Sequence, residues 1–252
     1  MSGREPGRQP KYQRIAAELR AAVEAGTYGP GDRLPGENDL MAAHGVARMT
    51  ARQALGVLQA EGIVEARKGA GVFVREFRPI RRLGVERLAQ GRWGEGRSVW
   101  EADVSGRELV VDSVEVGEEE AAAVIAGVLD LADGERVCVR RRRYTLDGKP
   151  VLLAASYLSA DLVAGTPITR PDTGPGGVYA RLAELGRAPV RFREEVRSRM
   201  PTGDEAEALA LPAGIPVMLV VRTAFDADGA AVEVNDMVLD SSAYVLEYGF
   251  GA

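Results

Sequence analysis

The sequence predicts an α+β fold: an N-terminal winged helix-turn-helix, then a C-terminal antiparallel sheet with helices. Three observations predict it. Apolar residues over 11–61 recur at helical spacing in three segments. Two β-rich runs around a Gly-containing tip follow over 63–74, with basic residues at the start of the third helix and at that tip. Behind them come short strand patterns punctuated by turns, with few helices between.

Residues 1–10 are polar, with Gly and Pro, and read as a disordered arm. From Lys11 to Ala25, Tyr12, Ile15, Leu19 and Val23 lie one helical turn apart, and Gly26 with TYGPGD ends the helix. A second helix is expected from Gly36 or Glu37 to Gly45, with Leu40 and Met41 inward. After GVAR, a third runs from about Ala47 to Glu61. It buries Ala51, Leu55 and Leu58, turns Arg48, Met49 and Arg52 elsewhere, and stops at Gly62. Ile63–Arg67 and Val72–Val74 flank KGAG as a hairpin, which closes a winged domain over 11–75. Residues 76–84 read as a basic linker around Pro79.

In the second domain, 85–252, LVVDSVEV (109–116) reads as a strand and EEEAAAVIAGVL (118–129) as a helix whose leading acids suit its N-terminal dipole. GVYARLAELG (177–186) and TGDEAEALAL (202–211) read as short helices, the latter capped by Thr202. Two hairpins close on Asp-Gly turns, LDGK and DADG. Arg141, Tyr144, Asp147 and Gly148 share their offsets with Arg222, Phe225, Asp228 and Gly229, so two equivalent hairpins of one antiparallel sheet are expected.

Charge divides the chain. Residues 1–83 hold 14 Lys+Arg against 9 Asp+Glu, and residues 84–252 hold 18 against 28. A basic head on an acidic body suits phosphate binding by the head alone. Cys138 stands alone, which rules out an intramolecular disulfide and a Cys-based zinc cluster and fits a reducing cytoplasm, where the chain is expected. The N-terminus lacks the apolar core of a signal peptide, and no run approaches the roughly 18 apolar residues of a membrane span. The one histidine, His44, sits in the head, so the body has no Ser-His or Cys-His pair. Neither a catalytic residue, a metal site nor a cofactor is expected.

The segments GDRLPGENDL, GVARMTARQAL and LQAEGIVEARKGAGVFV resemble the head of the GntR family of bacterial transcription factors, in its HutC-like branch. The segments RRRYTLDGKPV, SYLSADL, GPGGVYARL, EEVRSRMPTGDEAEALALPAGIPV and RTAFDADGAAVEV resemble its UTRA effector-binding domain. The resemblance implies a homodimer on a pseudo-palindromic double-stranded DNA operator, a repressor whose affinity a small molecule modulates. It also implies a chorismate-lyase-like fold without that enzyme's activity. Carried onto this chain, it assigns DNA contacts to Arg48, Met49, Thr50 and Arg52 on the third helix and to Lys68 and Gly69 at the wing tip. Arg can fork onto a guanine, Thr50 can bond a phosphate, and Met49, in place of a frequent Thr, can meet a thymine methyl. Arg33 either touches phosphate or braces the turn before the second helix. Gly36 and Ala47 stand where capping hydroxyls are usual, and Asn38 where Arg is common.

On a strand, Arg140 and Arg142 share a face with Cys138 and Tyr144, while Arg141 and Arg143 share the other with Val139. These cations are either ion-paired at the surface or recognise an anion. By analogy with UTRA proteins, the effector contacts are Arg140, Arg142, Tyr144, Ser156, Tyr179, Arg222 and Glu233, an inward Glu suiting hydroxyls or an amine. GPGG (174–177) either cradles an anionic group at a helix start or is a tight turn. Two other readings remain: a constitutive DNA-binding repressor with no ligand, and an enzyme fused to a DNA-binding head. The second is opposed by a body whose one lysine, Lys149, lies in a turn.

Overall fold

The computed structural model describes residues 9–76, 80–83 and 109–249. The expected arm lies outside them save for its last two residues, as do residues 77–79 and 84 of the expected linker and residues 85–108. The chain forms two compact units, the front one ending its main segment at Arg78.

The head comprises α1 (Lys11–Glu24), α2 (Glu37–His44), α3 (Arg48–Ala60) and the antiparallel pair β1 (Val64–Arg67) and β2 (Gly71–Val74). Its core joins Ile15, Ala16 and Leu19 of α1 to Leu40 of α2, to Ala51, Ala54, Leu55 and Leu58 of α3, and to Val64 and Val74 of the hairpin. Tyr12, Val23 and Met41 pack at its edge. Gly45 closes α2 with φ 58, a left-handed conformation that glycine adopts cheaply. The cap lost at Gly36 is partly replaced, because the Asp39 carboxylate accepts from the Gly36 N–H at 2.9 Å. Arg20 clamps α1 to the end of α3 through Glu61, with Nη2 2.6 Å from Oε1. Leu58 is fully buried, so Leu58→Ala is expected to destabilise the head by about 2–5 kcal/mol, read by urea denaturation.

The second unit centres on a six-stranded antiparallel sheet of order β4-β5-β6-β9-β8-β7. Its strands are β4 (Leu109–Glu120), β5 (Arg136–Leu146), β6 (Lys149–Ser159), β7 (Arg191–Arg199), β8 (Val217–Phe225) and β9 (Ala231–Asp240). A separate parallel pair joins β3 (Ile80–Leu83) to β10 (Tyr244–Glu247). Its described α-helices are α4 (Ala123–Leu129), α5 (Ala160–Val163), α6 (Gly177–Glu184) and α7 (Gly203–Ala208). Ile125 and Leu129 of α4 pack on Val137, Val139 and Val234 on one face of the sheet. On the other, Val163 and the α6 residues Val178, Tyr179 and Leu182 pack on Cys138, Leu158 and Ala224. Ile80 and Tyr244 join that face at Tyr144, Leu152 and Met237.

Four local differences from the sequence reading have physical causes. The helix expected over 118–129 begins only at Ala123, because β4 runs on through the acids. Glu118, Glu119 and Glu120 pair in the ladder with Cys138, Val137 and Arg136, and Glu118 and Glu119 form ion pairs with Arg136 and Arg141. Ladder hydrogen bonds and cross-strand charge pairs thus outweigh helix propensity. The linker expected over 76–84 contains β3. The alternating run RFREEVRSR, not assigned before, is the edge strand β7. Finally, the two hairpins do lie in one sheet, meeting where β6 pairs with β9, yet Arg222 matches Arg140 rather than Arg141. One ladder row reads Arg140, Ser156, Asn235, Arg222, Glu194. The first turn holds two residues, Asp147 and Gly148 at φ 50 and φ 78. The second encloses Ala227, Asp228 and Gly229 beneath the Asp226 N–H to Ala230 C=O bond. The extra residue slips β8 by one, and a slip of one exchanges faces.

Thr202 caps α7 as expected, accepting from Glu205 N–H at 3.3 Å while Glu205 accepts from Thr202 N–H at 2.8 Å. Arg199, by its hydrogen bond, lowers the Glu205 carboxyl to about 2. With the folded pKa depressed, this contribution is full at neutral pH and is lost as pH falls from about 4 through about 2.

Candidate functional site

Two places gather the residues singled out in the sequence. In the head, a three-residue turn, Gly45–Ala47, joins α2 to α3. With the Ala51–Leu58 stripe buried, the start of α3 points Arg48, Met49 and Arg52 outward, and their side chains are about three-fifths exposed. Thr50 is half-buried one step round. Lys68, Gly69 and Ala70 form an exposed wing tip, and Gly69 takes φ 75 with open space around it, so a backbone surface can approach closely.

One carboxylate orders the basic end of α3. Arg52 Nε donates to Glu37 Oε1 at 2.8 Å, Arg48 Nε lies 3.8 Å from Glu37 Oε2, and Arg48 Nη2 reaches Asn38 Oδ1 at 3.3 Å. The Arg52 hydrogen bond holds the Glu37 carboxyl below its ordinary range and, reciprocally, raises the Arg52 guanidinium. Sequence reading missed Glu37; its place at the first residue of α2, beside a recognition-type helix, was the available signal. Arg33 bridges to Phe73 of the wing, and its Nε lies 2.9 Å from where a Cβ on Gly71 would stand. It therefore lies against the base of the wing while remaining exposed. His44 ends α2 with Nδ1 3.7 Å from Glu18.

In the second unit, a cavity of about 590 Å³ opens between the sheet face and the segment from Pro171 to Tyr179. Of the residues assigned to an effector, Arg140, Arg142, Tyr144, Tyr179, Arg222 and Glu233 line it, together with Asn235, Asp172 and the GPGG segment. Ser156 is fully buried and is not among the lining residues; it accepts a hydrogen bond from Arg142. Asn235, which sequence reading did not single out, follows from sharing a ladder row with Arg140 and Arg222.

The arginine strand divides by face. Arg141 pairs with Glu119 at 2.8 Å and Arg143 with Asp112 at 2.8 Å on the side away from the cavity. Arg140 is buried and donates to the backbone carbonyls of Ile168, Arg170 and Pro171, so it fastens the cavity's outer wall. Burial, then the neighbouring Arg142, pulls its guanidinium below the ordinary value. Burial raises the Tyr144 phenol. The Tyr179 hydroxyl lies 3.4 Å from Arg222 Nη1. Gly174, Gly176 and Gly177 take φ 74, 80 and 66, which lets the loop turn directly into α6 above the arginines.

The residues lining this cavity include four with a buried side-chain atom that has no hydrogen-bond partner: Arg140 Nε, Arg142 Nε, Glu233 Oε2 and Asn235 Oδ1. Buried polar groups are normally satisfied, so two donors and two acceptors without partners around one cavity match a polar guest. Among the described residues, no cluster suited to a metal ion occurs, and no helix is long and apolar enough to cross a membrane.

A winged head with exposed arginines, joined to a sheet domain with a polar cavity, defines a transcriptional regulator. The chain belongs to the GntR family and carries a UTRA domain: the bacterial regulatory protein gntR family matches residues 11–74, and the UTRA domain matches 105–245. It is 32% identical over 249 residues to an HTH-type transcriptional regulator of Streptomyces coelicolor, across 96% of this chain and 93% of that one. It is 29% identical to the HTH-type transcriptional repressor PhnF of Mycolicibacterium smegmatis, across 88% and 85%. A crystal structure of a GntR-family regulator superposes with TM-score 0.64 at 28% identity, covering 97% of this chain and 98% of its own. The matched domains and relatives are transcriptional regulators, not enzymes.

Proposed function

We propose that this regulator is a ligand-responsive repressor that binds a pseudo-palindromic operator as a homodimer and answers to a small molecule held in the cavity of its UTRA domain. The carrying observation is a cavity lined by Arg142, Glu233 and Asn235, each of which has a buried side-chain atom without a hydrogen-bond partner: Arg142 Nε, Glu233 Oε2 and Asn235 Oδ1. They suit an effector with an anionic group for Arg142 and hydroxyl or amine donors for Glu233 and Asn235. A ligand-free repressor would gain nothing from leaving these groups buried and open, which costs about 1–3 kcal/mol each.

In the head, Arg48 and Arg52 take base edges or phosphates in the major groove, Thr50 a phosphate and Met49 a thymine methyl, while Lys68 and Gly69 enter the minor groove beside them. Arg33 braces the wing from which they project. Two heads on one duplex gain by tethering, so effector binding regulates by changing how well the pair matches the half-site spacing.

Affinity is expected to fall steeply with salt, because each neutralised phosphate releases counterions. For about six or more phosphate contacts, raising salt from about 50 to 200 mM lowers affinity on the order of a thousandfold, read by fluorescence anisotropy. A flat response would remove the head as the binder. The decisive test of the whole reading is to sequence DNA fragments selected by the purified protein with and without a cell metabolite extract. Enrichment of a two-fold symmetric motif that the extract abolishes or strengthens supports it; a motif indifferent to the extract favours a constitutive repressor.

A further inference from the structure

Arg82 and Arg222 are the two largest fully buried side chains among the described residues, and they share one carboxylate. Glu194 Oε1 lies 2.9 Å from Arg82 Nη2 and 3.5 Å from Arg222 Nε. Its other oxygen accepts from the Tyr248 hydroxyl at 2.9 Å. Met237 Sδ lies between the guanidiniums, 3.3 Å from Arg82 Nη2 and 3.5 Å from Arg222 Nη2. Stability does not explain such a cluster. Taking guanidiniums out of water is costly, and apolar side chains of similar volume serve a buried position as well or better.

The topology supplies another reason. Arg222 lines the effector cavity, whereas Arg82 does not. Arg82 stands on β3, the first described strand after the head, which begins four residues past Glu76. That strand is short, and among the described residues it pairs in register with Tyr244–Glu247 of β10. Whatever firmly holds or releases β3 therefore acts on the chain where it leaves the DNA-binding domain.

We propose that Arg82, Glu194 and Arg222 form the output of the effector cavity, a relay in which occupancy redistributes one buried negative charge between two arginines. This rests on the reading that the cavity takes an anionic effector. With the cavity empty, Glu194 divides its attraction between Arg222 and Arg82. An anionic group entering beside Arg222 offsets that guanidinium, and Glu194 then pairs more fully with Arg82, fixing β3. Arg82 and Glu194 are positioning residues: neither needs to touch the effector.

The test uses the full chain, a duplex recovered by selection, and sn-glycerol 3-phosphate as probe, since it offers an anion to the arginines and hydroxyls to Glu233 and Asn235. Probe binding is followed by calorimetry, and DNA affinity by anisotropy at matched ionic strength. The unsubstituted protein is expected to bind the probe and change its DNA affinity about fivefold or more. Arg82→Met is expected to bind the probe within about threefold of that protein while its DNA response shrinks below about twofold. Should Arg82→Met fail to fold by circular dichroism, Glu194→Gln, which keeps an acceptor for Arg82 and Tyr248, is expected to show the same separation. A full DNA response in the variant overturns the relay and leaves the effector reading standing. Loss of probe binding in the variant also overturns the relay, because Arg82 would then belong to the binding site. If the unsubstituted protein does not bind the probe, the anionic-cavity reading falls and takes the relay with it; binding without any DNA response overturns the relay alone.

Discussion

Arg52→Ala is expected to weaken binding to the selected operator by about 5- to 150-fold, the effect of losing one forked guanine contact, and to leave the oligomeric state unchanged. The side chain is well exposed at the start of α3 and contributes nothing to the head core, so its loss leaves the packing of Ala51, Leu55 and Leu58 intact. Its Nε is held by Glu37 at 2.8 Å, which leaves the outer nitrogens free to meet a base edge. Glu37→Gln tests that arrangement further. It removes the charge that orders Arg48 and Arg52 while retaining an acceptor, so the ratio of specific to non-specific affinity is expected to fall even as non-specific affinity rises. Anisotropy against selected and scrambled duplexes reads both variants, and sedimentation reads the oligomer. Unchanged operator affinity in Arg52→Ala would displace this residue from the interface.

Arg142→Ala is expected to blunt the effector response while DNA affinity without effector stays the same. A hydrogen bond to a charged partner is worth about 1.5–3 kcal/mol, so the effector concentration for half response rises by about 10- to 150-fold. Arg142 is suited to this test because its other bond goes to the Ser156 hydroxyl, within the same strand pair. Arg140→Ala has a different expected outcome. It strips the donor from the carbonyls of Ile168, Arg170 and Pro171, so it lowers the melting temperature of the second unit and disturbs the cavity wall together. If Arg142→Ala lost DNA binding as well, that arginine would be a folding residue.

The head was legible because its signals are local. Helical spacing at Ile15, Leu19, Leu55 and Leu58, the glycine stop at Gly45 and the Gly69 tip each depend on a few neighbouring residues. The alternation of the arginine strand was equally legible: period two alone placed Arg140 and Arg142 on one face and Arg141 and Arg143 on the other. What the sequence concealed depends on partners distant along the chain. Three glutamates beside an alanine run look like a helix start until β5 supplies Arg136 and Arg141 across the ladder. Arg222 was placed beside Arg141 by an offset that ignores one extra residue in a turn. Glu194 and Arg82 had no local signature, since their meaning comes from a contact spanning more than a hundred residues. Whether Arg140 binds a guest or holds a wall likewise depends on carbonyls about thirty residues away.

Discrimination by the full-length protein between the selected operator and a scrambled duplex of equal length, at about 150 mM salt, tests the account most directly. A specific winged head working in pairs predicts an affinity ratio of at least about a thousandfold. A ratio near one, with both affinities falling together as salt rises, would contradict it and reduce the basic head to a non-specific polyanion binder.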